Sequence, residues 1–231
     1  MRVIVTRARG DAERTAAALR ARGHAALLSP VLEIVSAGAV IDPRPAEAVI
    51  ATSAHAFEFI APLEAERLAH RPLFVVGART AQAAIGAGLA PPRLVAPSAA
   101  DLSSRLARDV SPPARLLYLA GHDRKPDLEE ALRRRGFTLD VVVTYAARAL
   151  DALSPEVVAA LAEGEADAVL HFSRRSAQLF LACAARAGVA RQAAGLRHVC
   201  ISQDAAADLG SSAVLAPTPD SVGLFKALEQ M

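Results

Sequence analysis

Six short polar segments follow apolar runs in this chain of 231 residues, and they hold most of the residues that could do chemistry. The segments are TRARGD (6–11), TSAHA (52–56), GARTA (77–81), GHDRK (121–125), SRRSA (173–177) and SQDAA (202–206). If each apolar run is a strand and a helix follows, these segments lie at helix N-termini, whose free N–H groups bind anions. Together they indicate a ligand with several carboxylates or phosphates. For any single segment, a plain helix cap is the simpler interpretation, because Ser and Thr are common N-caps.

The polar segments, called strand tips below, belong to an internal repeat. Residues 2–23 match residues 115–136, and the later tips follow in the same order, with Ser53 aligned on Ser173. The remaining matched segments are 73–84 with 198–209 and 97–110 with 217–230. The chain therefore consists of two copies of one ancestral unit. The elements of each copy are called A (2–23 and 115–136), B (the segments around Ser53 and Ser173), C (73–84 and 198–209) and D (97–110 and 217–230).

Short, continuous apolar runs indicate strands that are covered on both faces of a parallel sheet. The runs are Val3–Val5, Ala48–Ala51, Leu73–Val76, Leu116–Leu119, Ala168–Phe172 and Val199–Ile201. Each precedes a tip and an amphipathic segment. The alternation predicts an α/β fold, with two similar, doubly wound parallel-sheet domains that arose by duplication.

Composition and motifs argue against several classes of protein. The net charge is +2 and there is no Trp, so we expect no nucleic-acid partner. No apolar run reaches the ~20 residues of a membrane span, so we expect no membrane partner. Cys183 and Cys200 lie in apolar runs, which suggests a reducing, cytoplasmic setting. The nucleotide-binding glycine motifs and metal-ligand spacings are absent, and we expect no cofactor and no metal. A monomer is the default expectation.

Tyr145 stands at the end of the apolar run of DVVVTYAARA (140–149), where the run passes into a linker. A lone tyrosine at such a place is usually a packing residue. It can also donate a hydrogen bond or act as a weak acid. From the residues alone both interpretations stay open.

The ordered set of motifs resembles the uroporphyrinogen-III synthase family. The motifs are VTRAR with LLSPVLEI, VIATSAHAFEF, FVVGARTAQAAIGAG, LYLAGHDRKPDLEEALRRRGFTLDVVVTYAA, VLHFSRRSAQLF, and VCISQDAAADL with APTPD. The resemblance implies one domain from residues 1–32 and 148–231 and another from residues 33–147. PVLEIV and VVTYAARA would form a two-strand linker, and the duplicated tips would be two walls of one cleft.

The resemblance also implies the reaction. The substrate would be hydroxymethylbilane, a linear tetrapyrrole with eight acidic side chains. The enzyme removes water, inverts ring D and closes the macrocycle to uroporphyrinogen III, in haem biosynthesis, without a cofactor. Free hydroxymethylbilane closes spontaneously to isomer I, so the chemistry requires folding and steering of the substrate more than a strong acid.

Site residues follow from the resemblance position by position. Tyr145 and Thr80 would be catalytic. The residues that would bind substrate are Arg7, Thr52, Ser53, Ala54, Gly77, Gly121, His122, Asp123, Ser173, Arg174, Ser176 and Ser202. Family members often have Pro where this chain has Ala54, and Gly and Thr in the tip of Ser202, so contacts at these tips are the least secure. The alternative function is a non-catalytic, two-lobed module that binds a polycarboxylate.

Overall fold

A computed structural model describes residues 1–42, 46–210 and 213–230. The strands are β1 Arg2–Val5, β2 Ala25–Leu28, β3 Leu32–Ser36, β4 Ala48–Ala51, β5 Leu73–Val76, β6 Leu94–Ala96, β7 Arg115–Gly121, β8 Thr138–Ala149, β9 Ala168–His171, β10 Arg197–Cys200 and β11 Ala213–Leu215. The α-helices are α1 Arg9–Arg20, α2 Pro62–Leu68, α3 Ala78–Gly86, α4 Ala99–Leu106, α5 Asp127–Arg134, α6 Pro155–Ala162, α7 Arg174–Arg186, α8 Ala190–Ala194, α9 Gln203–Ala206 and α10 Ser221–Glu229. A 3-10 helix spans Ala54–Phe57.

The chain divides into two compact units. Unit 1 contains Met1–Glu33 and Arg148–Met231, and unit 2 contains Ile34–Ala147. The chain passes from unit 1 to unit 2 within β3 and returns within β8.

Each unit has its own sheet. In the described part of the chain, the sheet of unit 1 has the order β11-β10-β9-β1-β2, and the other sheet has the order β3-β8-β7-β4-β5-β6. The registered pairs in both sheets are parallel, among them β1 with β9 and β4 with β7. These two pairings join element A of each half to element B of the other half. The predicted α/β class, with two parallel sheets from a duplicated unit, is confirmed.

Both faces of each sheet are covered, as the unbroken apolar runs require. In unit 2, Val49 and Leu117 belong to one hydrophobic cluster, while Ile50 and Tyr118 belong to the cluster on the opposite face. Unit 1 repeats the pattern, with Ile4 in one cluster and its neighbours Val3 and Val5 in another. β3 runs antiparallel to β8, because Leu150 N–H bonds to the carbonyl of Val31 and Ala37 N–H bonds to the carbonyl of Thr144. The carboxyl ends of the other described strands in each sheet point the same way, so each sheet gathers its own tips at one edge.

A β-bulge ends the pairing of β7 with β8. Ala120 pairs with Val143, but the next residue, Gly121, pairs with Tyr145, so that Thr144 is the extra residue. Within the described residues no helix is both long enough and apolar enough to cross a membrane.

Candidate active site

The bulge in β8 decides which face of the sheet receives Tyr145. Val142 packs against the cluster that contains Val49, and strict alternation would turn residue 145 to the other face. Because Thr144 is the extra residue, Tyr145 packs against the same cluster as Val142. The Thr144 hydroxyl donates a hydrogen bond of 3.1 Å to the carbonyl of Ala56, which ties the bulge to the 3-10 helix.

Tyr145 lies directly over Gly121. A Cβ at residue 121 would lie 2.6 Å from Cζ and 2.7 Å from the hydroxyl oxygen of Tyr145. Only glycine therefore allows the ring to occupy this place. The backbone N–H of His122 donates to the carbonyl of Tyr145 at 2.9 Å, so the two segments are also joined through the main chain.

The side chain of Ser53 lies close enough to the phenol of Tyr145 to affect its pKa. Burial raises the pKa of Tyr145 above its ordinary value, the Ser53 side chain opposes the rise, and the nearby carboxylates of Glu58 and Asp123 add to it. The group is therefore a neutral phenol, able to donate a proton, across the neutral pH range.

Ser53 also begins the 3-10 helix Ala54–Phe57. Its side chain accepts a hydrogen bond of 3.3 Å from the backbone N–H of His55. Nδ1 of His55 lies 2.6 Å from Oε1 of Glu58, and the rings of His55 and Tyr145 have centroids 5.6 Å apart. The tip of β4 therefore places a hydroxyl and an imidazole against one tyrosine.

Thr52 contacts the second tyrosine of the chain. Its Oγ1 lies 3.0 Å from the hydroxyl oxygen of Tyr118, in the middle of β7. Burial raises the pKa of Tyr118, and the hydrogen bond to Thr52 lowers it. Tyr145 is close enough to affect the Tyr118 pKa through its charge. The two phenols of the chain thus lie near each other in unit 2.

The tip of β5 supplies Gly77 and Thr80. Gly77 has φ of 83°, a left-handed conformation that favours glycine, and it precedes the first turn of α3. The backbone N–H of Thr80 donates to the carbonyl of Gly77 at 3.1 Å, and the Thr80 side chain is buried. Ala54 in the neighbouring tip is buried as well.

The tip of β7 holds its charges in pairs. Nδ1 of His122 lies 3.2 Å from Oδ1 of Asp123, and both side chains are exposed. Arg124 donates to Glu129 at 2.7 Å and to the carbonyl of Gly121 at 3.2 Å. These hydrogen bonds fix the backbone next to Gly121, beneath Tyr145.

In unit 1, the tip serines are helix caps. Ser173 accepts a hydrogen bond of 3.1 Å from the backbone N–H of Ser176 at the start of α7. Ser202 accepts one of 3.3 Å from the backbone N–H of Ala205 at the start of α9. The cap interpretation of these two serines is confirmed, and it does not exclude contact with a ligand.

The arginines of the unit 1 tips are engaged with carboxylates. Arg174 donates to both carboxylate oxygens of Asp208, at 2.8 and 2.9 Å. Arg7 donates to Asp11 at 2.9 Å and lies 4.1 Å above the ring of Phe172. Ion pairing therefore offsets part of the positive charge of these side chains.

His171 and His198 form a buried pair. Nε2 of His198 lies 3.1 Å from the carbonyl of Ala193, so this nitrogen donates, and Nε2 of His171 donates to Nδ1 of His198 at 2.9 Å. Burial, with the neighbouring ring, lowers the pKa of His171 to about 3. Cys183 and Cys200 are buried and unpaired, and burial raises the pKa of Cys200 to about 11.

Unit 2 thus brings nine of the predicted site residues to its strand tips, and unit 1 brings five to its own. The nine are Thr52, Ser53, Ala54, Gly77, Thr80, Gly121, His122, Asp123 and Tyr145, and the five are Arg7, Ser173, Arg174, Ser176 and Ser202. Sequence reasoning missed Glu58, Tyr118 and Thr144 as neighbours of the site and left His55 without a role. The i,i+3 spacing of His55 and Glu58 is a signal that was available, whereas the bulge has none.

Known proteins place this geometry in a family. A family model described as uroporphyrinogen-III synthase HemD matches residues 13–226. Uroporphyrinogen-III synthetase of Helicobacter pylori 26695 has 18% sequence identity to this chain, with all of both chains covered and a TM-score of 0.67. A mutant uroporphyrinogen III synthase of the extremely thermophilic bacterium Thermus thermophilus has 20% identity over all of both chains and a TM-score of 0.52.

These two likenesses show the fold, and the family model adds the activity. No curated protein matches the chain significantly in sequence. The non-catalytic alternative receives no support from the proteins that the chain resembles. The chain belongs to the uroporphyrinogen-III synthase family.

Proposed function

We propose that this chain closes hydroxymethylbilane to uroporphyrinogen III with the strand tips described above, and that Tyr145 donates the proton to the departing hydroxyl. The family consists of cyclising hydro-lyases of tetrapyrrole biosynthesis, and the chain is an enzyme of this class. The single observation that carries the proposed role of Tyr145 is its placement: the phenol lies directly over Gly121, near the side chain of Ser53.

The first step breaks the bond between carbon and oxygen in the hydroxymethyl group. The electron pair leaves with the oxygen, Tyr145 supplies the proton, and water departs. The pyrrole nitrogen donates electron density to the remaining carbon, which gives a cationic azafulvene. A phenol with a raised pKa suffices because the substrate also reacts without the enzyme, so the acid need only assist.

The second step closes the ring, and here the enzyme directs which carbon of ring D attacks. The substituted carbon of ring D attacks the azafulvene to give a spiro intermediate, which fragments and recombines with ring D inverted. A proton is lost when the pyrrole ring is restored, and it returns to the phenolate of Tyr145, so protons balance over the cycle. Holding the substrate in a productive fold contributes most of the acceleration, for which proximity effects are worth up to ~7–11 kcal/mol.

Backbone N–H groups at the strand tips are proposed to bind the carboxylates of the substrate. In unit 2 these are the tips of Ser53, Gly77 and His122. In unit 1 they are the starts of α7 and α9, beside Ser173 and Ser202. Arg7 and Arg174 are proposed to contribute through hydrogen-bond donors beyond those bound to Asp11 and Asp208.

Product analysis tests the proposal. Purified protein receives fresh hydroxymethylbilane, the products are oxidised, and isomers I and III are separated by chromatography. We expect isomer III far above a control without protein. Isomer I alone, from folded protein, would overturn the proposal.

The setting of the enzyme is a separate proposal. We propose that it works in the cytoplasm, because its two buried thiols, which form no disulfide, suit a reducing compartment. We also propose that it is a monomer. Sedimentation velocity reports the oligomeric state, and a dimer at micromolar concentration would contradict the proposed monomer.

A further inference from the structure

His55 and Glu58 form a side-chain pair whose role the reaction above does not explain. Nδ1 of His55 lies 2.6 Å from Oε1 of Glu58, and the imidazole is mostly buried, with 15% of its side-chain surface exposed. The side chain of Glu58 is 44% exposed. A carboxylate that holds one nitrogen of an imidazole fixes the orientation of the ring, as in the dyads of acid–base enzymes.

The pair is linked to Tyr145 in three ways. The rings of His55 and Tyr145 are in tilted contact, at 54° between their planes. Ser53 lies close enough to the Tyr145 phenol to affect its pKa, and it also accepts a hydrogen bond from the backbone N–H of His55. The carboxylate of Glu58 acts on the phenol through its charge. The ring of Tyr145 therefore has the imidazole as a neighbour whose own position is fixed.

Tyr145 needs such support because of where it lies. It follows a bulge, it is only half-buried, and the space under it is the bare backbone of Gly121. A tyrosine side chain has two rotatable torsions, so a fixed ring position requires contacts around it. Displacement of a catalytic group by about 1 Å can lower a rate about 100-fold.

We propose that His55, oriented by Glu58, is a positioning residue that holds the ring of Tyr145 over Gly121 in its reactive place. The inference rests on the proposed role of Tyr145 as proton donor. His55 acts through Tyr145 and not by contact with the substrate, so its removal affects kcat and leaves KM nearly unchanged.

The test measures kcat and KM for isomer III with five variants: His55→Ala, Glu58→Ala, Glu58→Gln, Tyr145→Phe and the double variant His55→Ala/Tyr145→Phe. We expect His55→Ala to lower kcat about tenfold with KM within about twofold. Glu58→Ala frees the imidazole and lowers kcat less. Glu58→Gln keeps an oxygen that accepts from Nδ1, and it restores part of that loss.

The Tyr145→Phe background separates positioning from other roles. If His55 acts through Tyr145, the second substitution changes the rate of Tyr145→Phe by less than about twofold. A loss in this background as large as in the wild type would overturn the proposal. So would a rise in KM with kcat unchanged, because that pattern indicates direct binding of a substrate carboxylate.

Exposed residues of the same unit provide matched controls. His70→Ala and Glu66→Ala remove the same side-chain types, and we expect both enzymes to keep the wild-type kcat. If His55→Ala fails to fold, as shown by its thermal midpoint, the two variants Glu58→Ala and Glu58→Gln carry the test alone. Failure of the proposed function is a different result, since the wild type would then form no isomer III above the control.

Discussion

The strand tips of the two units come from the same ancestral segment, but they have different side chains and different partners. In unit 1, Ser173 and Ser202 cap helices and Arg174 is bound by Asp208. In unit 2, the corresponding edge has Tyr145 near the side chain of Ser53, Thr52 hydrogen-bonded to the hydroxyl of Tyr118, and His55 paired with Glu58.

This difference indicates how the two copies of a duplicated fold can take separate roles, one in catalysis and the other in substrate binding. Both copies keep the helix starts, whose backbone N–H groups suit anions whatever the side chains are. The second copy of element A carries Tyr118 and leads into the bulge that directs Tyr145. We therefore expect substitutions in unit 2 to act on kcat, and substitutions in unit 1 to act on KM and stability.

The largest effect is expected from Gly121→Ala. The new Cβ would lie 2.6 Å from Cζ of Tyr145, so the ring must move away from its position. We expect kcat to fall as far as in Tyr145→Phe, by about tenfold or more, because the displaced ring is lost as a proton donor, with KM little changed. Steady-state kinetics measure this, and a crystal structure of the variant shows where the ring has gone. A wild-type kcat in this variant would show that the reaction does not depend on the position of Tyr145.

A smaller loss is expected from Ser53→Ala. This change removes the hydroxyl near the Tyr145 phenol and the cap of the 3-10 helix, so kcat should fall about tenfold and stability by about 1 kcal/mol. Ser53→Thr keeps the hydroxyl and serves as the matched variant. If Ser53→Ala lowers only the thermal midpoint, the Ser53 hydroxyl has no part in turnover.

In unit 1, Ser173→Ala gives the contrasting case. It removes the cap of α7, which costs about 1 kcal/mol of stability, while backbone N–H groups remain free to bind a carboxylate. We expect KM to rise by no more than a few-fold and kcat to stay near wild type. A fall in kcat as large as that of Ser53→Ala would contradict the proposal that unit 2 acts on kcat and unit 1 on KM and stability.

The smallest effect on activity is expected from His171→Gln, a change in the core of unit 1. The wild-type unfolded chain takes up a proton as pH falls below about 6.5, whereas the folded form resists protonation down to about 3. The stability that His171 contributes is thus fully present above pH 6.5 and is lost as pH falls toward 3.

Gln keeps a donor for Nδ1 of His198 but does not titrate, so the variant should lose less stability on acidification. From pH 7 to pH 4.5, His171 alone accounts for about 2–3 kcal/mol in the wild type, at ~1.4 kcal/mol per pH unit. Urea unfolding at the two pH values measures the difference, with His70→Gln as the control. Equal acid sensitivity in His171→Gln and the wild type would contradict the account.

Much of this fold was predictable because its strands are unbroken apolar runs. Ala48–Ala51 and Leu73–Val76 match the observed β4 and β5 in full. A strand buried on both faces must be apolar throughout, so its sequence signal is strong.

The site was less predictable because its decisive features are three-dimensional. The residues VVVTYAARA (141–149) show no sign of the bulge at Thr144, since a bulge needs only a local change of backbone angles. Arg174 and Asp208 are 34 residues apart, and their ion pair depends on the packing of α7 near α9. The tip arginines therefore looked available for anions in the sequence, although the fold binds them to carboxylates.

The most direct test of the proposed division of work is the rate of isomer III formation by Tyr145→Phe at saturating substrate. The Phe side chain keeps the ring contacts with Gly121 and His55 and lacks only the hydroxyl, so the fold should be retained. We predict that kcat falls by at least about tenfold. The loss should be smaller than the ~100-fold or more seen when a typical general acid is removed, because the substrate ionises readily by itself. A variant that forms isomer III at the wild-type rate would show that the phenol of unit 2 does not carry the reaction.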